Sequence, residues 1–176
     1  KALTKGYAVG SAALAAFLLF SAYLDEVGNL RLEHAGETLS TEAGRAIWAA
    51  AHSVDLGKVD VFIGGFLGAM LIFLFSSFAI RAVGRAAQGM INEVRRQWKA
   101  EPRILTGEVE PDYAACVDIS VRSALREMII PGILAIGVPI IIGLLLKAEA
   151  AAGMLMVGTM VGILMANVLN NGGGAW

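Results

Sequence analysis

The stretch VFIGGFLGAMLIFLFSSFAI, residues 61–80, contains no charged side chain. A helix that rises 1.5 Å per residue needs about 20 apolar residues to cross a hydrocarbon core of about 30 Å. Because backbone polar groups cannot stay unpaired in lipid, we expect this stretch to form a transmembrane helix. Gly64 and Gly68 are four residues apart and therefore share one helix face, where a second backbone can approach closely.

Three further apolar stretches lie on either side of it, at residues 6–24, 128–146 and 150–171. All are continuous rather than alternating, which excludes the strands of a membrane β-barrel. Two of them carry the same small-residue spacing, at Gly6/Gly10 and at Gly158/Gly162. The sequence therefore predicts an all-α membrane protein, a polytopic bundle of four packed helices. Pro131 and Pro139 predict a kink in the third helix.

Composition agrees with this class. Of 176 residues, 57% are hydrophobic and 16% are charged, which is typical of a membrane protein. The net charge of −1 argues against a nucleic-acid partner, and a single cysteine excludes an internal disulfide framework. The chain lacks an initiator Met and ends at Gly-Gly-Gly-Ala-Trp, so we expect it to be a fragment of a longer polypeptide.

The connections between the predicted helices differ in charge. Residues 25–60 carry seven acidic and three basic side chains, whereas residues 81–127 carry eight basic ones. Cytoplasmic loops are enriched in Lys and Arg, so the connection 81–127 is expected in the cytoplasm and the outer loop 25–60 on the opposite side. The short link at Lys147 and Glu149 is then also outside.

Helical periodicity continues beyond the second apolar stretch. We expect one helix from Val61 to Lys99, ending before Pro102, and a helical approach to the third span at residues 122–127. In the outer connection, residues 46–52 form either a short interfacial helix with Trp48 at the membrane surface or an insertion.

Chemical motifs are scarce. No predicted span contains an acidic residue, and no Walker loop, nucleophile elbow, Rossmann glycine pattern or metal-spaced His/Cys cluster occurs. Three amides near the end of the last stretch are expected to pack between helices rather than to line a cavity: Asn167, Asn170, Asn171. Four carboxylates are expected to form a solvated acidic face: Glu108, Glu110, Asp112, Asp118. From the residues alone, the chain is a cytoplasm-facing part of a polytopic transporter.

Several long blocks resemble the membrane-integral, ion-translocating inorganic pyrophosphatases, in collinear order over nearly the whole chain. They are TKGYAVGSAALAAFLLFSAYLDEV (4–27), VFIGGFLGAMLIFLFS (61–76), AVGRAAQGMINEVRRQW (82–98), PDYAACVDISVRSALREMIIPG (111–132) and GILMANVLNNGGGAW (162–176). The regions 28–60 and 140–155 lie outside these blocks.

The resemblance implies a sixteen-helix subunit, usually in a homodimer, of which this chain is similar to the twelfth to fifteenth helices. It implies hydrolysis of magnesium-bound inorganic pyrophosphate on the cytoplasmic side, coupled to ion transport across the lipid bilayer. Most of the family's Mg²⁺-binding aspartates precede the position of Lys1, and another Asp and Lys follow the position of Trp176. No metal ligand is therefore expected within this fragment, and the isolated fragment is expected to be inactive.

The resemblance also gives a meaning to Lys1 and Thr4. Family members with Ala at the first position require potassium, and members with Lys there, usually with Thr three residues later, do not. Lys1 and Thr4 are similar to the potassium-independent members, which are proton pumps. An ammonium group can take the place of a bound potassium ion beside an anionic site. Without the resemblance, Lys1 would be an ordinary boundary lysine.

Two other positions receive roles from the resemblance, each beside a plainer alternative. Lys5 gives electrostatic support to the catalytic pocket or is a snorkelling boundary lysine. Leu19 lies where the family has an apolar gate in the ion path, or it is a packing leucine. Arg126 and Glu127 are expected to form structural ion pairs.

The resemblance places the protein in a bacterial-type cell inner membrane or in an acidic-organelle or vacuolar membrane. Two other classes remain open. A subunit of a gradient-driven secondary transporter would need no pyrophosphate, and a membrane scaffold with a basic docking surface would have no turnover.

Overall fold

Five α-helices and one 3-10 turn make up the secondary structure of the computed structural model, which describes residues 2–172. No strand occurs among these residues, and the predicted all-α class is confirmed. In chain order the elements are α1 (Ala2–Ala35), α2 (Glu42–His52), α3 (Val59–Ala100), the 3-10 turn (Pro102–Ile104), α4 (Tyr113–Glu127) and α5 (Ile129–Gly172).

The chain divides into two compact units. Unit one consists of Lys1–Phe73 and Gly137–Trp176, and unit two consists of Leu74–Ile136. Helices α3 and α5 each contribute residues to both units. Three stretches of helix are long and apolar enough to cross a membrane: Leu3–Ala35, Val59–Ala100 and Tyr113–Leu169.

Unit one is held together where α3 meets the second half of α5 at glycines. A Cβ added to Gly64 would lie 2.0 Å from the carbonyl oxygen of Ala150, and one added to Gly68 would lie 2.5 Å from that of Met154. A Cβ on Gly158 would lie 3.7 Å from the Cα of Gly68. Two of the three predicted small-residue motifs therefore pack against each other, and the backbones touch because no side chain separates them.

The third motif behaves differently. A Cβ added to Gly6 or Gly10 would meet no atom within 4 Å among the residues that the structure describes. The small-residue spacing in α1 thus contributes no helix contact within this part of the chain.

Helix α5 is interrupted at Lys147, which has φ 67° and ψ 177°. Pro139 and Thr159 line the same cavity, although a straight helix would hold them about 30 Å apart. The chain therefore folds back at Lys147, within the predicted link between the stretches 128–146 and 150–171. The membrane-spanning candidate Tyr113–Leu169 therefore combines α4 with both halves of α5.

One carboxylate, that of Glu149, joins three parts of unit one just after this reversal. It accepts a hydrogen bond from Arg31 of α1 at 3.2 Å and another from Lys58, which directly precedes α3, at 2.8 Å. The hydroxyl of Tyr23 donates to the carbonyl oxygen of Ala148 at 3.0 Å. These contacts fasten α1 and the start of α3 to the turn of the α5 hairpin.

The predicted outer loop 25–60 is largely helical. Helix α1 continues to Ala35 because residues 25–35 contain no proline and Leu32, which is buried like Leu24 before it, provides an apolar contact. It ends at Gly36, whose φ of 65° places it in the left-handed region. The amide of Glu37 donates to the carbonyl of Leu32 at 3.1 Å, as in a Schellman motif.

The stretch 46–52, left open between a short helix and an insertion, lies within α2. Thr41 caps this helix, because its hydroxyl accepts a hydrogen bond from the amide of Gly44 at 3.0 Å.

Unit two begins with the remainder of α3. The single helix expected from Val61 to Lys99 is confirmed, with observed bounds Val59–Ala100. After the 3-10 turn, α4 starts at Tyr113, well before the predicted helical approach at residues 122–127. Asp112 caps α4 by accepting from the amide of Ala115 at 3.0 Å.

The glycine contact predicts the effect of a single methyl group. Gly64→Ala would force the backbones of α3 and α5 apart, because the nearest atoms belong to the Ala150 backbone and cannot rotate away. We expect the intact protein in detergent to lose about 1–3 kcal/mol of unfolding free energy, measured by thermal unfolding. The matched control is Gly84→Ala in the same helix, because a Cβ at Gly84 meets nothing within 4 Å. This control variant should be as stable as the wild type or more stable. Equal melting temperatures for the two variants would contradict the contact.

The Glu149 pairs predict a salt-dependent loss of stability. Glu149→Gln leaves Arg31 and Lys58 facing an amide. Because the pairs are partly exposed, we expect a loss of roughly 1 kcal/mol at low salt, shrinking as salt is added. The control is Glu101→Gln, whose partner Arg103 is two residues away and joins no separate elements. A loss in Glu149→Gln that is independent of salt would argue against an ionic tie.

Candidate functional site

The predicted site residues lie along α1. Lys1 lies outside the residues that the structure describes. Thr4 and Lys5 are exposed in the first turns of the helix, and Leu19 is 71% exposed. Lys5 and Leu19 are 14 residues apart, which is about 21 Å along the axis, and they fall within about 40° of each other around the helix. They therefore share one face of α1, but not one pocket.

A cavity of about 370 Å³ lies in unit one beside this face. Its α1 wall consists of small apolar side chains, with Ala12 and Ala16 on the side nearer to Lys5 and Leu19. The opposite walls are formed by α3 and both halves of α5: Gly68, Leu71, Ile72, Pro139, Met154, Leu155, Gly158, Thr159, Gly162, Ile163, Ala166. The glycines that bring α3 and α5 together also leave this space beside α1.

The cavity is almost entirely apolar. Its single polar side chain is that of Thr159, whose hydroxyl donates to the carbonyl of Leu155 at 2.7 Å and is thus satisfied within its own helix. Among the residues that the structure describes, no titratable group lines the cavity. It is suited to an apolar group and offers no ligand for an anion or a metal ion.

In unit two, the carboxamide of Gln97 connects α3 to the start of α4. Gln97 is only 6% exposed. Its nitrogen donates to Glu93 at 2.9 Å and to the carbonyl of Asp112 at 3.1 Å, while its oxygen accepts from the amide of Asp112 at 2.9 Å. A buried side-chain amide with all these partners fixes the end of the 101–112 connection.

The basic connection is partly neutralised by its own acids. Ion pairs join Arg85 to Glu127, Arg96 to Glu93, Arg103 to Glu101 and Arg122 to Asp118. The Arg103 guanidinium lowers the pKa of the Glu101 carboxyl by hydrogen bonding to it. Four bases have no carboxylate within 4 Å in the described part of the chain: Arg81, Arg95, Lys99 and Arg126. The expected ion pair at Glu127 is confirmed, and the one at Arg126 is absent among these residues.

The four carboxylates predicted to form a solvated acidic face are all exposed: Glu108, Glu110, Asp112, Asp118. Two of them also have structural partners. Asp112 caps α4 and binds Gln97 through its backbone, and Asp118 pairs with Arg122 at 2.8 Å. The structural roles of Gln97 and Glu149 were missed from the sequence. Glu149 could have been suspected, because it is one of the two charged residues in the link between the last two apolar stretches.

No group of three or more His, Cys, Asp or Glu side chains converges in a way that could hold a metal ion among residues 2–172. The amide cluster is described only in part. Asn167 is exposed near the end of α5, whereas the side chains of Asn170 and Asn171 lie outside the described residues.

Comparison with known proteins identifies the family. The family model described as "Inorganic H+ pyrophosphatase" matches residues 1–176. A protein of Moorella thermoacetica named "K(+)-insensitive pyrophosphate-energized proton pump 2" is 57% identical over 176 residues, which are 100% of this chain and 24% of that protein.

More distant relatives differ in the ion that they are named for. "Pyrophosphate-energized membrane proton pump 3" of Arabidopsis thaliana is 51% identical, with 100% of this chain matched to 21% of that protein. A Clostridium tetani protein, provisionally named a K(+)-stimulated pyrophosphate-energized sodium pump, is 43% identical over 99% of this chain and 23% of its own length. The chain thus spans about a quarter of the length of the curated relatives that it matches. Because the family model covers every residue, the chain belongs to the inorganic H⁺ pyrophosphatase family.

Proposed function

We propose that this chain is part of a potassium-independent proton pump driven by inorganic pyrophosphate. Hydrolysis adds water across the phosphoanhydride bond and releases two phosphates, and the free energy moves protons across the membrane. The observation that carries the proposal is the end-to-end match, at 57% and 55% identity, to two proteins named K(+)-insensitive pyrophosphate-energized proton pumps. The relative named for sodium is more distant, at 43%.

The proposed topology has four membrane spans, at residues 6–24, 61–80, 128–146 and 150–171. The reversal of α5 at Lys147 supports a break between the last two. The charge asymmetry supports a cytoplasmic connection 81–127 and an outer connection 25–60. The pyrophosphate site would lie on the cytoplasmic side of a bacterial-type cell inner membrane or of an acidic-organelle or vacuolar membrane. A homodimer is part of the same proposal.

Lys1 and Thr4 are the proposed determinants of potassium independence. The Lys1 ammonium would supply the positive charge that a bound potassium ion supplies in potassium-dependent members, beside a highly anionic substrate. Lys5, which is exposed four residues later, would add to the positive potential at that end of α1.

Leu19 is proposed as an apolar gate in the ion path. Apolar side chains block ions because a narrow apolar constriction expels water. Its exposure on the face that it shares with Lys5 is compatible with a partner helix closing the path from the other side.

Magnesium is proposed as the cofactor of the intact protein. The described residues do not fit a magnesium site, because no group of three carboxylates or other ligands converges and the apolar cavity offers no oxygen ligand free to bind. Hydrolysis by these 176 residues alone is not expected. The relatives give no support to the gradient-driven transporter that the sequence left open.

The test is made with the intact protein in sealed vesicles. Pyrophosphate hydrolysis and interior acidification are followed together, with and without potassium, for the wild type and for Lys1→Ala. We expect the wild type to pump protons without potassium, and Lys1→Ala to need potassium for both activities, because the fixed charge has been removed.

The control is Lys99→Ala, which removes an exposed lysine from the basic connection and should remain independent of potassium. Wild-type hydrolysis that requires potassium would contradict the role of Lys1 while leaving pyrophosphate as the substrate. A folded protein with neither hydrolysis nor pumping would contradict the pump itself.

A further inference from the structure

Helix α2 lies against α1 at Gly28. A Cβ added to Gly28 would lie 2.8 Å from Cε3 of the Trp48 ring and 3.4 Å from Cε1 of His52. Glycine at this position therefore lets the Trp48 ring and the edge of the imidazole touch the α1 backbone. The rings of Trp48 and His52 are themselves 4.4 Å apart between centroids.

Both nitrogens of the His52 ring face an oxygen. Nδ1 lies 2.9 Å from the carbonyl oxygen of Trp48 in the same helix, and Nε2 lies 2.8 Å from the carboxylate of Asp25 on α1. A neutral imidazole has one N–H and can donate to only one of these oxygens, whereas an imidazolium has two and can donate to both. The geometry is therefore complete only when His52 is protonated.

The charges around His52 reinforce this preference. Asp25 is the charged group of α1 that faces the ring, and its hydrogen bond is the main cause of the raised pKa of His52, followed by the bond to the Trp48 carbonyl. The cation of α1 nearest in sequence to this contact, Arg31, is bound to Glu149 instead. The other charged side chains of α1 near this contact, of α2 and of the following connection are Glu26, Glu33, Glu42, Arg45, Asp55 and Lys58, and none is hydrogen bonded to His52.

We propose that α2 is a pH-responsive latch on α1, held by the ion pair between protonated His52 and Asp25 and loosened when His52 loses its proton. The Trp48–Gly28 contact supplies an apolar hinge point that does not titrate. Loss of the proton leaves α2 attached to α1 by packing and by at most one uncharged donor at His52.

The direction of the effect follows from the titration of His52. Its pKa in the folded protein is raised above the ordinary value of 6.5. The stabilisation of the latch is therefore fully present below pH 6.5 and is lost as the pH rises through the raised pKa. Acidification tightens the latch and alkalinisation loosens it.

The consequence for transport rests on the proposed function and topology. If the connection 25–60 lies on the side to which protons are pumped, α2 tightens against α1 as that compartment becomes acidic. The latch would then respond to the product gradient of the pump, on the face opposite the proposed pyrophosphate site.

Hydrogen exchange of the intact protein in lipid nanodiscs tests the latch without any turnover. Amide exchange over residues 42–52 is compared between the wild type and His52→Gln at matched pH, so that the intrinsic pH dependence of exchange cancels. Gln can donate one hydrogen bond but carries no charge, like the neutral ring. We expect exchange about threefold faster in His52→Gln near pH 5.5 and equal rates near pH 8.5, since a partly exposed pair contributes a few-fold at most. Asp25→Asn should have the same effect.

The matched control is His34→Gln. The His34 ring contacts the carbonyl oxygen of Leu30 at 2.7 Å in its own helix, as His52 contacts that of Trp48, but it meets no carboxylate among the described residues. This variant should leave the exchange of α2 unchanged at both pH values. The proposal would be overturned if the ratio of the amide exchange rates of His52→Gln and the wild type were the same at both pH values.

A measurement on the wild type covers the case in which the variants do not fold. Exchange of the imidazole C2 hydrogen, followed by mass spectrometry, reports the titration midpoint of His52 directly. A midpoint above about 6.5 supports the latch, and a midpoint at or below that value overturns it. In sealed vesicles, a latch that responds to buffer pH but not to pyrophosphate-driven acidification would contradict the proposed pump or its topology, and not the latch.

Discussion

The contact between the backbones of α3 and the second half of α5 determines the arrangement of unit one. At Gly64 and Gly68 no side chain separates the two helices, so the carbonyl oxygens of Ala150 and Met154 lie where a Cβ would otherwise be. In lipid, no hydrophobic force drives helices together, and close approach is rewarded by dispersion and by weak hydrogen bonds. The apolar cavity beside α1 is a consequence of the same small residues.

The hairpin of α5 allows that contact to form. Lys147 takes a left-handed φ of 67°, which turns the chain back so that Ile142, Ala150 and Met154 share one apolar cluster. Glu149, two residues later, then binds Arg31 and Lys58 and fastens the turn to α1 and to the start of α3. The packing between helices is apolar, whereas the tie at this end is ionic. The two should therefore respond differently to salt.

In unit two, polar side-chain contacts connect the elements. Gln97 is buried, and its carboxamide donates to the backbone carbonyl of Asp112 and accepts from the backbone amide of the same residue. The end of the charged connection 101–112 is therefore anchored to α3. Half of the eight basic residues in the connection 81–127 are already paired with local carboxylates. A count of arginines and lysines predicts the side of the membrane, but it overstates the positive charge that is available to a partner.

The amino-acid sequence by itself determined the all-α class, the apolar stretches, the extent of α3 and the resemblance to the pyrophosphatase family, because these depend on local composition, periodicity and motif order. It also predicted the break near Lys147, where charge interrupts an apolar run. It did not determine which glycine motifs pack. Gly6/Gly10 has the same spacing as Gly64/Gly68, yet among the described residues only the latter meets a second backbone. The contacts of Glu149 with Arg31, of Gln97 with Asp112 and of His52 with Asp25 cannot be read from local sequence, since each joins distant parts of the chain. Only the tertiary structure decided them, because helical spacing states which residues share a face and does not state which face another helix will cover.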